Sequence, residues 1–183
     1  GWIADTHLQY APKTQRWVIE LAGYHQRFER LILFAPLDAY RTQASDAFSA
    51  EITGFEFRWR AQLRKFWMES NYHYQDHRDG QKNPLPFRPR HRLNQRIGWS
   101  NETASLYGGL MAQDTVYSDN FGRRTLPSYG LVDLGILLYL PGGFETGIDL
   151  RNALDQTQVF DAIHQPLPGR SLYGVLRWRG ETR

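Results

Sequence analysis

The stretch GFEFRWR, residues 54–60, decides the reading of the fold. Phe55, Phe57 and Trp59 alternate with Glu56, Arg58 and Arg60, so an extended chain here has one apolar face and one charged face. Such a period of two, rather than the helical period, holds almost everywhere along the chain. In YGLVDLGILLYL (129–140), Val132, Leu134, Ile136 and Leu138 oppose Asp133, Gly135 and Tyr139. In LYGVLRWR (172–179), Leu172, Leu176 and Trp178 oppose Tyr173, Arg177 and Arg179.

Working outward, the alternation predicts about nine strands, near residues 2–11, 16–34, 48–61, 65–76, 90–99, 103–116, 128–140, 143–152 and 170–179, and no helix. The connections alternate in length. PKTQ (12–15), QLRK (62–65), SNE (100–102) and PGG (141–143) are short, whereas PLDAYRTQASDA (36–47), HRDGQKNPLPFRP (77–89), YSDNFGRRTLP (117–127) and residues 153–169 are long. Outer-membrane barrels have short periplasmic turns and long outer loops, and a soluble sandwich or lipocalin has no reason to keep that order. The expected fold class is therefore all-β, an antiparallel transmembrane β-barrel segment of about eight or nine strands. Nine strands place the two ends of the chain on opposite sides of a membrane, whereas bacterial single-chain barrels have even strand numbers. The chain is thus expected to be part of a larger barrel; a count of eight allows a small complete one.

Composition fits this reading. Apolar residues make up 41% of the 183 residues, enough for a folded structure, and the net charge of +3 is spread without a basic block that would point to nucleic acid. No run of about 18 apolar residues offers a transmembrane helix, and the start GWIADTHLQY has neither the basic nor the apolar region of a signal peptide. A mean hydropathy of -0.58 does not exclude a membrane, because barrel strands face lipid with only every second residue. The absence of cysteine removes disulfides and thiolate metal sites.

Aromatic residues reach 14%, and their positions are informative. Tyr10, Trp17, Trp59, Phe66, Trp99, Phe144 and Trp178 lie within a few residues of a short connection. They are expected to form one girdle at the periplasmic boundary, where amphipathic rings suit the meeting of lipid tails and water. Tyr72, Tyr74, Tyr117 and Tyr129 form a looser set near the long connections.

The lumen-facing set is expected to contain Glu56, Arg58, Arg60, Glu69, His73 and Arg177, together with Arg179, whose first role is to hydrogen-bond one another and water. NYHYQDH (71–77) holds His73, Asp76 and His77, but the alternation puts His73 on the lumen face and the other two at a strand end, so no metal site is expected. His91 opens a strand and reads as a lumen or rim hydrogen-bonding residue. No serine sits in a nucleophile-elbow context and no carboxylate pair stands apart, so no catalytic residues and no enzyme activity are expected. Ligand contact is expected from the long connections, at Arg123, Arg124 and His164, cations suited to an anionic chelate.

The segments also carry a family resemblance, in order and over nearly the whole chain. AEITGFEFRW (50–59), PRHRLNQRIGW (89–99), LPSYGLVDLGILLYL (126–140), IDLRNALDQTQVF (148–160) and PLPGRSLYGVLRWR (166–179) resemble successive strands of the C-terminal part of a TonB-dependent outer-membrane receptor. Members usually end on an aromatic residue; here that place falls on Gly180 and the chain continues Glu-Thr-Arg. The resemblance implies that residues 1–183 are the C-terminal part of the barrel domain of such a receptor, a 22-stranded barrel closed by a plug domain that these residues do not include. It further implies outer-membrane lipid, TonB, the plug and a small-molecule nutrient as partners. The nutrients implied are ferric siderophores or similar metal chelates, haem and cobalamin, with no resident cofactor. Two other readings stand beside it: a small stand-alone outer-membrane barrel with an anchoring or adhesion role, and a soluble lipocalin-like binding barrel whose apolar face points inward.

Overall fold

The computed structural model describes residues 1–13, 16–36, 42–119, 122–157 and 166–179. Eleven strands follow one another: β1 (Trp2–Tyr10), β2 (Trp17–Pro36), β3 (Thr42–Leu63), β4 (Phe66–Asp79), β5 (His91–Ser100), β6 (Ala104–Gln113), β7 (Val116–Tyr117), β8 (Thr125–Leu126), β9 (Tyr129–Leu140), β10 (Phe144–Arg151) and β11 (Ser171–Trp178). All but β7 and β8 join one nine-stranded sheet in chain order, β1-β2-β3-β4-β5-β6-β9-β10-β11, and every pairing is antiparallel. The sheet is not closed, so β1 and β11 are its edges.

Several boundaries differ from the sequence reading, among them the strand expected over 103–116, which ends as β6 at Gln113, with Val116 passing into β7. Residues 42–47, TQASDA, expected in a long connection, belong to β3, and β2 runs on to Pro36. TQASDA has no apolar alternation to reveal a strand; pairing with the rising end of β2, through register shifts around Leu31, extends it. Likewise β4 continues to Asp79, and the connection expected at 117–127 contains the two-residue hairpin β7–β8. At 22 residues, β3 is about twice the 9–11 residues that a tilted strand needs to cross a bilayer. The β2–β3 hairpin therefore stands well beyond a membrane-thick band.

The short turns have local causes. Pro141, Gly142 and Gly143 make a single tight turn, in which both glycines have positive φ, 75° and 76°. In the turn after β5, the Asn101 side-chain oxygen accepts the backbone N–H of Thr103 (2.9 Å) and of Ala104 (2.8 Å).

Because neighbouring strands pair in register, residue parity sorts side chains onto two faces. One face carries Leu8, Ile19, Phe55, Phe57, Met68, Ile97, Leu106, Leu134, Ile136, Ile148 and Leu176. The other carries the charges. A single sheet layer buries little against itself: among the described residues the buried hydrophobics are only Ala50, Ile52, Leu85, Val116 and Leu126, while Leu172 and Leu176 are 69% and 75% exposed. Such an apolar face requires a covering of another kind.

Candidate functional site

On the polar face, the end near the short turns holds two carboxylate clusters. Glu145, only 5% exposed, meets Arg179 at 3.1 Å and Arg177 at 3.8 Å, the latter lying directly opposite it across the β10–β11 ladder. Glu20 takes Arg60 at 2.9 Å and Arg58 at 3.7 Å, and Arg58 also donates to Glu56 at 3.1 Å. The arginines of both clusters are more than half exposed, so solvent screens their pairing with the more buried carboxylates.

Higher up the same face, Tyr24 Oη lies 2.7 Å from His73 Nε2, which is 4.0 Å from Glu56. A depression of about 500 Å³ opens beside them, lined by Glu56, Arg58, Arg60, Glu69, His73 and Arg92 among others. Glu69 stands opposite Arg60 on one side and Arg96 on the other. Toward β9, Tyr107 donates its hydroxyl to Asp149 (2.8 Å), and the Arg96 guanidinium lies 4.4 Å from the Tyr107 ring centroid.

Above the depression the connection between β4 and β5 folds back onto the polar face. Leu85, 2% exposed, packs with Ala50 and Ile52, and Tyr24 and Phe28 close over them. Asp79 accepts the backbone N–H of Gln81 (2.9 Å) and Asn83 (2.7 Å), Gln75 donates its side-chain amide to the Pro89 carbonyl, and His77 Nε2 donates to the Arg88 carbonyl at 2.8 Å. The hairpin β7–β8 locks onto this loop: Phe87 N–H donates to the Tyr117 carbonyl at 2.7 Å, and Gly122 faces Pro84. The apolar band on the other face of β4 runs Phe66, Met68, Ser70, Tyr72, Tyr74, and Asp76 and Arg78 follow on that face. His77 therefore lies beyond the band. Its burial pushes the imidazole below its ordinary pKa, while the donated hydrogen bond from Arg78 holds the Asp76 carboxyl below the usual range.

The residues singled out in the sequence fall as follows. Glu56, Arg58, Arg60, Glu69, His73 and Arg177 share the polar face, whereas Tyr10, Trp17, Trp59, Phe66, Trp99, Phe144 and Trp178 share the apolar face at its short-turn end. Neighbouring rings there approach one another, Tyr10 and Trp17 at 5.2 Å and Phe144 and Trp178 at 6.5 Å between centroids. Asp76 sits on the opposite face from His73 and His77, and its carboxylate is taken by Arg78 (2.9 Å) and Arg90 (3.1 Å). His91 is at the rim on the apolar face rather than in the polar interior, 2.6 Å from Tyr72 Oη. Arg123 and Arg124 are exposed between β7 and β8, where the Asp119 carboxylate accepts both of their backbone N–H groups. His164 and Gly180 lie outside the described residues. Glu20, Tyr24, Arg96, Tyr107 and Glu145 were not singled out, although strand parity alone places them on the charged face. For Gln75, Asp79 and the loop residues that they hold, no periodic signal existed.

A one-layer antiparallel sheet in chain order, charged on one face and apolar with an aromatic border on the other, defines the wall of an outer-membrane type of β-barrel. Residues 6–153 match the family model described as TonB dependent receptor-like, beta-barrel, and the chain belongs to that family. Its fold is similar to that of the Pseudomonas aeruginosa receptor FpvA bound to heterologous pyoverdines, with a TM-score of 0.76, 16% identity, and coverage of 96% of this chain and 26% of that one. The siderophore receptor PiuA from Acinetobacter baumannii gives 0.78, 14%, 96% and 28% in the same terms. The copper transporter OprC gives 0.79, 17%, 93% and 28%. The chain spans about a quarter of the length of these proteins. No curated protein sequence matches it.

Proposed function

We propose that this chain forms the C-terminal wall and several outer loops of an energised outer-membrane receptor that imports a scarce nutrient, with a ferric siderophore or similar metal chelate as the leading class and haem or cobalamin as further members. The observation that carries the reading is the two-faced, nine-stranded sheet strung in chain order, together with membership of the TonB-dependent receptor family. The apolar face meets outer-membrane lipid. The polar face lines the lumen, where Glu56, Arg58, Arg60, Glu69, His73 and Arg177 contact water and a plug domain supplied by the rest of the receptor. The aromatic border formed by Tyr10, Trp17, Trp59, Phe66, Trp99, Phe144 and Trp178 lies at the periplasmic boundary. Ligand meets the long connections, where Arg123, Arg124 and His164 offer positive charge to an anionic chelate, and TonB acts through the plug. Similarity to proteins described as siderophore receptors and a copper transporter supports metal-complex cargo. The test is metal-chelate uptake by cells lacking the full-length receptor, with and without an active TonB system. Loss of uptake on deletion, restored only when TonB is functional, is the expected result; unchanged uptake of every chelate, haem and cobalamin sinks it.

A further inference from the structure

A groove of about 700 Å³ crosses the apolar face, within the roughly 300–1,000 Å³ range of small-molecule sites. It runs from Ala61 on β3, past Phe66 and Trp99, to Leu134 on β9, and Gly108 forms its floor. These four strand spacings cover roughly 19 Å at about 4.8 Å each. With barrel strands tilted, such a diagonal has the span of one leaflet of a hydrocarbon core about 30 Å thick. The floor is open because position 108 has no side chain: a Cβ placed there meets nothing closer than Leu134 Cδ2 at 3.7 Å. The flanking Ile97, Leu106 and Leu134 are all partly or well exposed.

The groove is not uniformly greasy at its ends. At the short-turn end, Trp99 is capped by Lys65, whose Nζ stands 6.0 Å from the ring centroid, and the Lys65 carbonyl accepts the Ser100 N–H at 2.8 Å. Arg64 precedes Lys65 in the same turn, and the neighbouring turn contributes Arg16, whose carbonyl accepts the Gln62 N–H at 2.6 Å. All three cations are exposed. An apolar channel one leaflet long, bordered by aromatic rings and ending at three cations, is complementary to one kind of molecule: a lipid with an anionic phosphate headgroup and its acyl chain lying in the channel, across the strands.

We propose that this face is a specific binding site for an anionic glycerophospholipid of the periplasmic leaflet, with an acyl chain over Gly108 and the phosphate at Arg64 and Lys65. The proposal rests on the membrane orientation given under the proposed function. Ordinary annular lipid exchanges over the whole surface, whereas a lipid held by its phosphate at the cations and by its acyl chain in the channel is retained and can steady the Phe66–Trp99 border during assembly.

The test uses the full-length receptor in bilayer nanodiscs, extracted into mild detergent, with bound phosphatidylglycerol counted by native mass spectrometry. Lys65→Gln is expected to weaken retention about fivefold, since a cation near a membrane surface contributes about 1 kcal/mol. Gly108→Phe, which fills the channel, is expected to weaken it at least about tenfold by excluding several methylenes. Gly23→Phe serves as the control, because Gly23 is also on the apolar face, has nothing within 4 Å of where its Cβ would stand, and lies away from the groove. Equal retention in wild type, Lys65→Gln and Gly108→Phe, or displacement of phosphatidylglycerol by lipopolysaccharide, overturns the site while leaving the receptor reading intact. A receptor that stays folded in water and never enters the bilayer overturns both.

Discussion

The Trp67 indole lies over Gly98 on the polar face, so closely that a Cβ at position 98 would overlap the ring. The same relationship recurs two strands away, where the Tyr107 ring covers Gly135. In each case an aromatic side chain on one strand fills the gap left by a glycine across the ladder, stiffening a one-layer sheet that has no second layer to pack against.

From this packing, Gly98→Ala is expected to destabilise the barrel by about 1–3 kcal/mol, since the ring must leave its rotamer. Denaturant titration of the full-length receptor reads the loss, and the double variant Gly98→Ala with Trp67→Ala is expected to recover most of it. An undiminished penalty in the double variant would show that the ring is not the cause.

The apolar face predicts a depth-dependent penalty. Leu134, mid-strand on β9, is expected to tolerate arginine poorly, at about 2–4 kcal/mol, the usual figure for a cation facing the bilayer midplane. Asn94→Arg, on the polar face of β5, is expected to cost little. Refolding into vesicles, scored by heat-modifiable gel mobility, compares the two; equal yields would mean that the apolar face does not meet lipid.

Glu145 is buried between Arg177 and Arg179. Removing it leaves two guanidinium groups facing each other, so Glu145→Ala is expected to cost more than Arg179→Ala alone. A double-mutant cycle on Glu145 and Arg179 should give a coupling of about 0.5–1 kcal/mol that shrinks in high salt. Additive effects would remove the pair from any account of the wall.

The β4–β5 connection packed on His77 is expected to loosen on acidification. Burial holds the folded imidazole below the ordinary value of 6.5, so the unfolded loop takes up the proton first as the pH falls. The stability that the neutral, Arg88-bonded ring contributes is complete above that value and is lost as the pH drops below it and through the lower folded one. Hydrogen exchange of residues 83–90, corrected for intrinsic rates, should therefore quicken below about pH 6.5, and His77→Gln should abolish the difference. Exchange that slows on acidification would reverse the assignment.

Much of this architecture was legible in the sequence because a sheet with one apolar face and one polar face is written in alternation. Phe55 to Arg60 gave the faces, the spacing of turns gave the chain-order topology, and the aromatic border followed from both. Where alternation stops, so did the reading: TQASDA at 42–47 is strand because β2 is there to pair with it, a non-local cause that leaves no local trace. The burial of His77 likewise depends on residues 83–90 returning to the polar face.

Sequence by itself therefore determined the fold class, the two faces and which end carries the short turns, since each depends only on residue parity and local turn chemistry. Tertiary structure alone decided which polar groups meet, such as Tyr24 with His73 and Glu145 with Arg179. It also decided how the loop of Leu85 folds over the polar face and where Gly108 opens a groove among its neighbours. Those contacts join residues far apart in the chain, and their geometry is fixed by strand register and loop packing rather than by any periodicity of the chain.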